Sequence, residues 1–372
     1  MTESEKEMQQ HERFMLRCIE LAEKGAGNVS PNPMVGSVLV AGSRVVGEGC
    51  HERFGGAHAE VNAIASVSDQ SMLKQATLYV NLEPCSHFGK TPPCADLIIE
   101  KDIPRVVVAC RDPHEKVAGR GIKRLRDAGV EVIENVLHDK ALKLNEAFVK
   151  SHEKSMPFVA VKLAETLDGK VATGKGLSKW ITGNEARQEV HRQRSRYDAV
   201  LSAASTVLAD DPLLTVRHVE GRNPLRVVLD RNLRIPLTAK VFNREAKTLL
   251  FTANGRAGDS RIELLREKEV EVCCVNENES GLDLKEVMCV LHAKSILSVY
   301  VESGPRLAAS LIQCGLVDKI FLYIAPLLFG GDGLDAVAPL GVEAPDNAPR
   351  LQYEKPCFFG EDLLVEAYLH HT

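Results

Sequence analysis

Short β-branched runs alternate with helical patterns along this whole sequence, and a polar stretch interrupts them once near the middle. The chain therefore reads as an α/β protein of two tandem domains. Length agrees: there are 372 residues, and a domain usually takes about 100–200. With 44% hydrophobic and 26% charged residues, each half can bury a core of its own.

In the first half, Phe14, Cys18, Ile19 and Ala22 recur at helical spacing until Gly25 and Gly27 stop the pattern. MVGSVLV (34–40) and RVVGEG (44–49) read as strands around the turn Ala41-Gly42-Ser43. HAEVNAIASV (58–67) reads as a helix, and TLYVNL (77–82) and RVVVAC (105–110) as strands. GRGIKRLRDAG (119–129) is an amphipathic helix, VEVIENV (130–136) a strand, and 139–152 a polar helix. SHEKSMP then leads into a new apolar strand, FVAVKLA (158–164). The boundary is placed there, giving domains 1–154 and 155–372. Beyond it, DAVLSAA (198–204), LRVVLD (225–230), TLLFTA (248–253), VEVCCV (270–275), SILSVYVES (295–303) and KIFLYIAPLL (319–328) suit a largely parallel, buried sheet.

A net charge of −5 and a pI near 6.2 argue against a general nucleic-acid binder. The opening MTESEKEMQQHERF has no apolar core of a signal peptide, and no run of 18 or more apolar residues suggests a membrane span. Ten cysteines are scattered without a disulfide framework, so reduced thiols or metal ligands in the cytoplasm are expected.

The sharpest signal is His58-Ala59-Glu60, followed by Pro84-Cys85 and then Cys94. One imidazole and two thiolates supply three zinc ligands and leave the fourth tetrahedral position for water. Zinc lowers the pKa of such a water, and Glu60 lies where it can carry the proton to a leaving amine. HxE with a later Pro-Cys and a further Cys is the known signature of zinc deaminases acting on nucleobases. The spacing departs from it: eight residues, SHFGKTPP, separate the cysteines instead of two. GKT within that insert is not the end of a Walker A loop, because Pro84 stands where the first glycine belongs.

The segments NPMVGSVLV (32–40), LEPCSHFGKTPPC (82–94) and RDPHEKVAGRG (111–121) resemble the deaminase half of the RibD family, the bifunctional enzymes of riboflavin biosynthesis. That resemblance implies a cytidine-deaminase-like α/β/α layered fold for the first domain. It also sets the insert near a phosphorylated substrate, with His87, Lys90 and Thr91 as donors.

No GxGxxG follows a strand in the second half, so a Rossmann site is not indicated. Residues alone give an α/β domain with one candidate anion site, the helix start after VESG (301–304). The segments VKLAETLDGKVAT (161–173), GLSKWITG (176–183), STVLADDPLLTVR (205–217), VESGPRLAASL (301–311) and IAPLLFGG (324–331) resemble the family's reductase domain, whose fold is similar to dihydrofolate reductase. Carried over by position, Ala164, Trp180, Thr206, Asp210 and the turn Gly304-Pro305-Arg306 would face NADPH. Ser178, Arg194, Leu214, Arg217 and Glu302 would face the sugar phosphate, with Arg194 and Arg217 as phosphate clamps. Lys162 would polarise the reacting sugar. The stretch departs from the family at Ala203, Ser205 and Ser303, where glycines are frequent.

The resemblance runs from about residue 12 to 365 and implies a deaminase–reductase of a phosphorylated ribosylaminopyrimidine, using zinc and NADPH. It carries no nucleic-acid or membrane partner, and a homo-oligomer is expected. Two rivals stay open at this level: a tRNA deaminase, and a deaminase whose second domain only binds.

Overall fold

The computed structural model describes residues 2–86, 88, 92–113 and 118–370. The chain divides into two compact units, Met1–Ser155 and Met156–Thr372.

The first unit runs α1 (Glu3–Ala22), β1 (Gly36–Ala41), β2 (Arg44–Cys50), α2 (Ala59–Ala65), β3 (Ala76–Leu82), α3 (Cys94–Glu100), β4 (Arg105–Cys110), α4 (Arg120–Asp127), β5 (Glu131–Ile133), α5 (His138–Leu144) and α6 (Glu146–Lys154). Its five strands form one sheet in the order β2-β1-β3-β4-β5, antiparallel around β1 and parallel from β3 onward. Alternate residues serve opposite faces: Leu78 and Val80 join α2 and α3 in one core, and Tyr79 joins α1 in the other.

Three elements differ from the sequence reading. α1 begins eight residues earlier than 11, because Thr2 and Glu5 form a reciprocal capping box at its start. The expected helix 139–152 is two helices, parted at Asn145, whose side-chain amide turns away to bond the backbone N and O of Met34. The strand at 130–136 shortens to β5, and Leu137 leaves it in a left-handed conformation.

Two glycines bring the helices close to the sheet. A Cβ at Gly36 would stand 2.1 Å from the Cys18 carbonyl oxygen on α1. At Gly49 it would stand 2.3 Å from the Ala63 nitrogen and 2.7 Å from the Ala59 oxygen on α2. The helix that begins beside His58 is therefore seated by direct backbone contact.

The second unit runs β6 (Phe158–Thr166), β7 (Lys170–Ala172), α7 (Asn184–Arg196), β8 (Ala199–Ala203), α8 (Ala204–Asp210), β9 (Leu225–Leu229), β10 (Thr248–Ala253), α9 (Arg261–Glu267), β11 (Val270–Val275), β12 (Glu277–Asn278), β13 (Gly281–Leu282), α10 (Leu284–Ala293), β14 (Ser298–Glu302), α11 (Pro305–Gln313), β15 (Lys319–Ala325), β16 (Leu334–Asp335), β17 (Leu351–Tyr353), β18 (Cys357–Phe359) and β19 (Asp362–Leu369). The main sheet has the order β11-β10-β9-β8-β14-β6-β15-β19-β17, with β18 also on β19. It is parallel from β11 to β15, as the β-branched runs lead one to expect, and antiparallel at the β19 side. Both faces are covered: Val227 and Leu229 enter one core, and Val228 enters the other. β14 starts at Ser298 instead of Ser295, and β15 ends before Pro326, which cannot donate to the ladder.

No helix among the described residues is long and apolar enough to cross a membrane. If backbone contact seats α2, Gly49→Ala overpacks the contact and should cost about 1–3 kcal/mol of stability. Denaturant unfolding measures this, and an unchanged midpoint would contradict the close approach.

Candidate active sites

In the first unit, three segments distant in sequence converge. His58 is the N-cap of α2, in extended conformation, so its ring stands at the helix start instead of along the helix side. Cys85 follows β3 by three residues, and Cys94 opens α3. The Nδ1 of His58 lies 3.7 Å from the Cys85 Sγ and 3.3 Å from the Cys94 Sγ. All three ligand atoms lie within 4.8 Å of one another. A nitrogen and a sulfur on one tetrahedral zinc stand about 3.6 Å apart, given bond lengths near 2.0 and 2.3 Å. The two separations straddle that figure, and the imidazole–thiol donor set suits zinc.

The electrostatics point the same way. The Cys85 thiolate is favoured first by a hydrogen bond from Cys94, then by His58 and the Cys94 backbone N–H, so its pKa falls well below the usual thiol range, while Cys94 keeps its proton. Glu60, in the first turn of α2, is buried. Burial and the neighbouring Cys85 push its carboxyl up to about 7. The His51 ring stands edge-on to His58 at 5.6 Å, held by the Ala57 carbonyl and the Asn32 amide.

Glu83 went unnoticed in the sequence. It is buried, and its two carboxylate oxygens accept backbone N–H groups from Asp112, Gly119, Gly121 and Ile122 at 2.9–3.3 Å. It thus ties the start of α4 to the strand end that carries Cys85. A charged residue beside Pro-Cys, at the end of an apolar strand, was the available signal. His87, Lys90 and Thr91 lie outside the described residues.

In the second unit, strand register sets Lys162 on β6 opposite Glu302, the last residue of β14. From α7, Arg194 donates to both Glu302 oxygens, with its Nη2 at 2.9 Å from Oε2. Its Nη1 donates to the Thr215 carbonyl at 2.9 Å. Burial alone would raise the Glu302 carboxyl, but Arg194 outweighs it and holds the group below its ordinary range. Burial lowers the Lys162 ammonium, opposed by Glu302.

Three of the five Arg194 N–H donors are thus engaged within the protein, holding a carboxylate and a loop. Arg217 is exposed, with its Nη1 bonded to the Thr215 hydroxyl at 3.1 Å. Leu214 is buried in a left-handed conformation, with φ 53°. That unusual geometry turns the chain into the 215–217 segment.

Of the residues expected at the cofactor, Ala164 lies two positions beyond Lys162 on the same face of β6. The Thr206 hydroxyl accepts the Gly304 N–H at 3.2 Å, joining α8 to the turn before α11. Pro305 opens α11, Arg306 is exposed beside it, and exposed Asp210 ends α8. Ser178 and Trp180 lie on the exposed 173–183 segment, where Arg187 stacks over the Trp180 ring at 4.7 Å. Sequence reasoning missed Asp168, whose carboxylate takes the Thr166 hydroxyl and the N–H groups of Phe329 and Gly330, tying the IAPLLFGG segment to the end of β6.

Residues 8–110 match the cytidine and deoxycytidylate deaminase zinc-binding region, and residues 157–365 match the RibD C-terminal domain. The riboflavin biosynthesis protein RibD of Aquifex aeolicus is 41% identical, over 95% of this chain and 96% of that protein. The Escherichia coli protein of the same name is 37% identical, over 96% and 98%. Among solved structures, Acinetobacter baumannii RibD superposes with a TM-score of 0.88 at 34% identity, covering 98% of this chain and 100% of that one. A diaminohydroxyphosphoribosylaminopyrimidine deaminase/5-amino-6-(5-phosphoribosylamino)uracil reductase from Thermotoga maritima gives 0.87 at 40%, with the same coverage. The chain belongs to the RibD family, the bifunctional enzymes of riboflavin biosynthesis that join a zinc-binding deaminase domain to an NADPH-dependent reductase domain.

Proposed function

We propose that the first unit hydrolyses the 2-amino group of 2,5-diamino-6-ribosylamino-4(3H)-pyrimidinone 5′-phosphate, and that the second reduces the ribose of the product to a ribityl chain. The observation that carries this reading is the convergence of His58, Cys85 and Cys94 beside a buried Glu60. Zinc held by those three ligands supplies a water of lowered pKa. Glu60 moves the proton, taking it at its carboxylate and delivering it to the departing amine. Glu83 acts through the backbone, keeping the 111–122 region against the Cys85 strand end.

In the second unit, NADPH supplies the hydride, and the protein supplies position and charge. Thr206, the 304–306 turn, Ala164, Trp180 and Asp210 take the cofactor. Lys162 donates to the sugar oxygen that is released when the ring opens. Glu302, fixed by Arg194, accepts from a sugar hydroxyl. Arg217 takes the 5′-phosphate, with Ser178 and Leu214 completing the substrate wall. His87, Lys90 and Thr91 remain assigned to the deaminase substrate by family resemblance, as do cytoplasmic location and a homo-oligomeric state.

Glu60→Gln keeps the shape but cannot carry a proton. Deamination should fall by about 10²–10⁴-fold. Zinc content should hold, and the protein should still reduce deaminated intermediate added from outside. Parallel metal analysis and single-activity assays decide it; deamination within a few-fold of wild type would remove Glu60 from the mechanism.

Arg217→Ala tests the phosphate contact. Losing a charge-assisted bond costs about 1.5–3 kcal/mol, or roughly 10–150-fold in binding. The KM for the phosphorylated intermediate should rise by that factor, and a substrate lacking the phosphate should be nearly unaffected. Equal losses on both substrates would take Arg217 off the phosphate.

A further inference from the structure

The sequence RQEVHRQRSR reads as a solvated basic helix, yet His191 at its centre is 4% exposed. Its Nδ1 accepts the backbone N–H of Arg217 at 3.1 Å. Three residues along the same helix face, Arg194 donates to the carbonyl of Thr215 at 2.9 Å. One face of α7 thus grips the 215–217 backbone at two points, one acceptor and one donor. On the other side Val216 donates to the Asn223 side chain at 2.8 Å. The His218 ring meets the His191 ring edge-on at 4.5 Å.

An imidazole can accept at Nδ1 only while neutral, with its proton on Nε2. Burial, and then Arg194 alongside, push the pKa of His191 down to about 3, so the ring stays in its accepting form. The same helix also fixes Glu302 through Arg194. Through Arg194 and His191, α7 thus contacts both Glu302 and the 215–217 backbone.

We propose that His191 is a positioning residue of the reductase unit, setting the backbone of Arg217 so that its guanidinium meets the 5′-phosphate at the right distance from Glu302 and Lys162. This rests on the assignment of Arg217 to the phosphate. His191 touches neither sugar nor cofactor in this account; it acts through the Arg217 backbone.

The test uses full-length protein carrying His191→Ala, His191→Asn or Arg217→Ala. Each variant is assayed for reduction of the deaminated intermediate with and without its 5′-phosphate. An ordinary hydrogen bond is worth about 2- to 12-fold in binding. His191→Ala should raise KM for the phosphorylated substrate by that factor with kcat unchanged, the pattern of lost binding without lost transition-state stabilisation. It should leave the dephosphorylated substrate alone. Asparagine places its Oδ1 where histidine has Nδ1, so His191→Asn should recover most of the loss.

Equal losses on both substrates, a fall in kcat alone, or no recovery with asparagine would each overturn the proposal. If Arg217→Ala shows a phosphate-dependent loss and His191→Ala does not, only the role of His191 falls. If Arg217→Ala costs both substrates equally, the phosphate assignment fails and takes this inference with it. Should His191→Ala not fold, His191→Gln, which shifts the acceptor by one methylene, replaces it. Asparagine near wild type with glutamine impaired supports the proposal, and equal behaviour of the two overturns it.

Discussion

A buried ionisable group costs several kcal/mol unless a partner of suitable charge or hydrogen-bonding capacity stands within reach. Both units of this chain are organised around meeting that requirement. In the first, two thiols and an imidazole are packed at distances where one thiolate is already favoured, and a buried carboxyl lies alongside. That donor set, an imidazole and two thiols within 4.8 Å of one another, suits a zinc ion. In the second, Lys162 and Arg194 place two positive groups around Glu302, which holds the carboxylate ionised, while burial lowers the Lys162 ammonium against the opposing pull of Glu302. The chemistry of each unit is the way its buried charge is resolved.

The backbone around each site is held by carboxylates that do no chemistry. Glu83 gathers four N–H groups at the end of β3, and Asp168 gathers two beyond the end of β6. Both lie just past the C-terminal end of a strand, where the chain leaves the sheet and its backbone groups lose their ladder partners. Charge-assisted bonds there are among the stronger available, and they let irregular segments keep a fixed position beside a rigid sheet. α7 does the equivalent work on the 215–217 segment with side chains.

Much of this was legible in the sequence. The strands came from β-branched runs, and the parallel sheet from their being apolar on both faces. The convergence of His58, Cys85 and Cys94 was foreshadowed by a motif whose three members each precede or follow a recognisable element. What stayed hidden was pairing. Arg194 read as a phosphate clamp because an arginine on a polar helix shows its charge but not its partner, and Glu302 lies 108 residues away. His191 raised no expectation, because burial depends on what packs over a helix, which the local pattern RQEVHRQRSR does not record. Asn145 split a continuous helical pattern for a similar reason: its amide is bound to Met34, 111 residues earlier.

Two chemistries, performed in order, share this one chain. The direct measurement is mass spectrometry of the products formed from the diaminopyrimidine ribosyl phosphate by the purified full-length protein, with and without NADPH. Without NADPH, the product should have one amino group replaced by oxygen and an intact ribosyl chain. With NADPH, the same product should gain two hydrogens on the sugar. Retention of the amino group in both reactions, or deamination with NADPH left unconsumed, would contradict it.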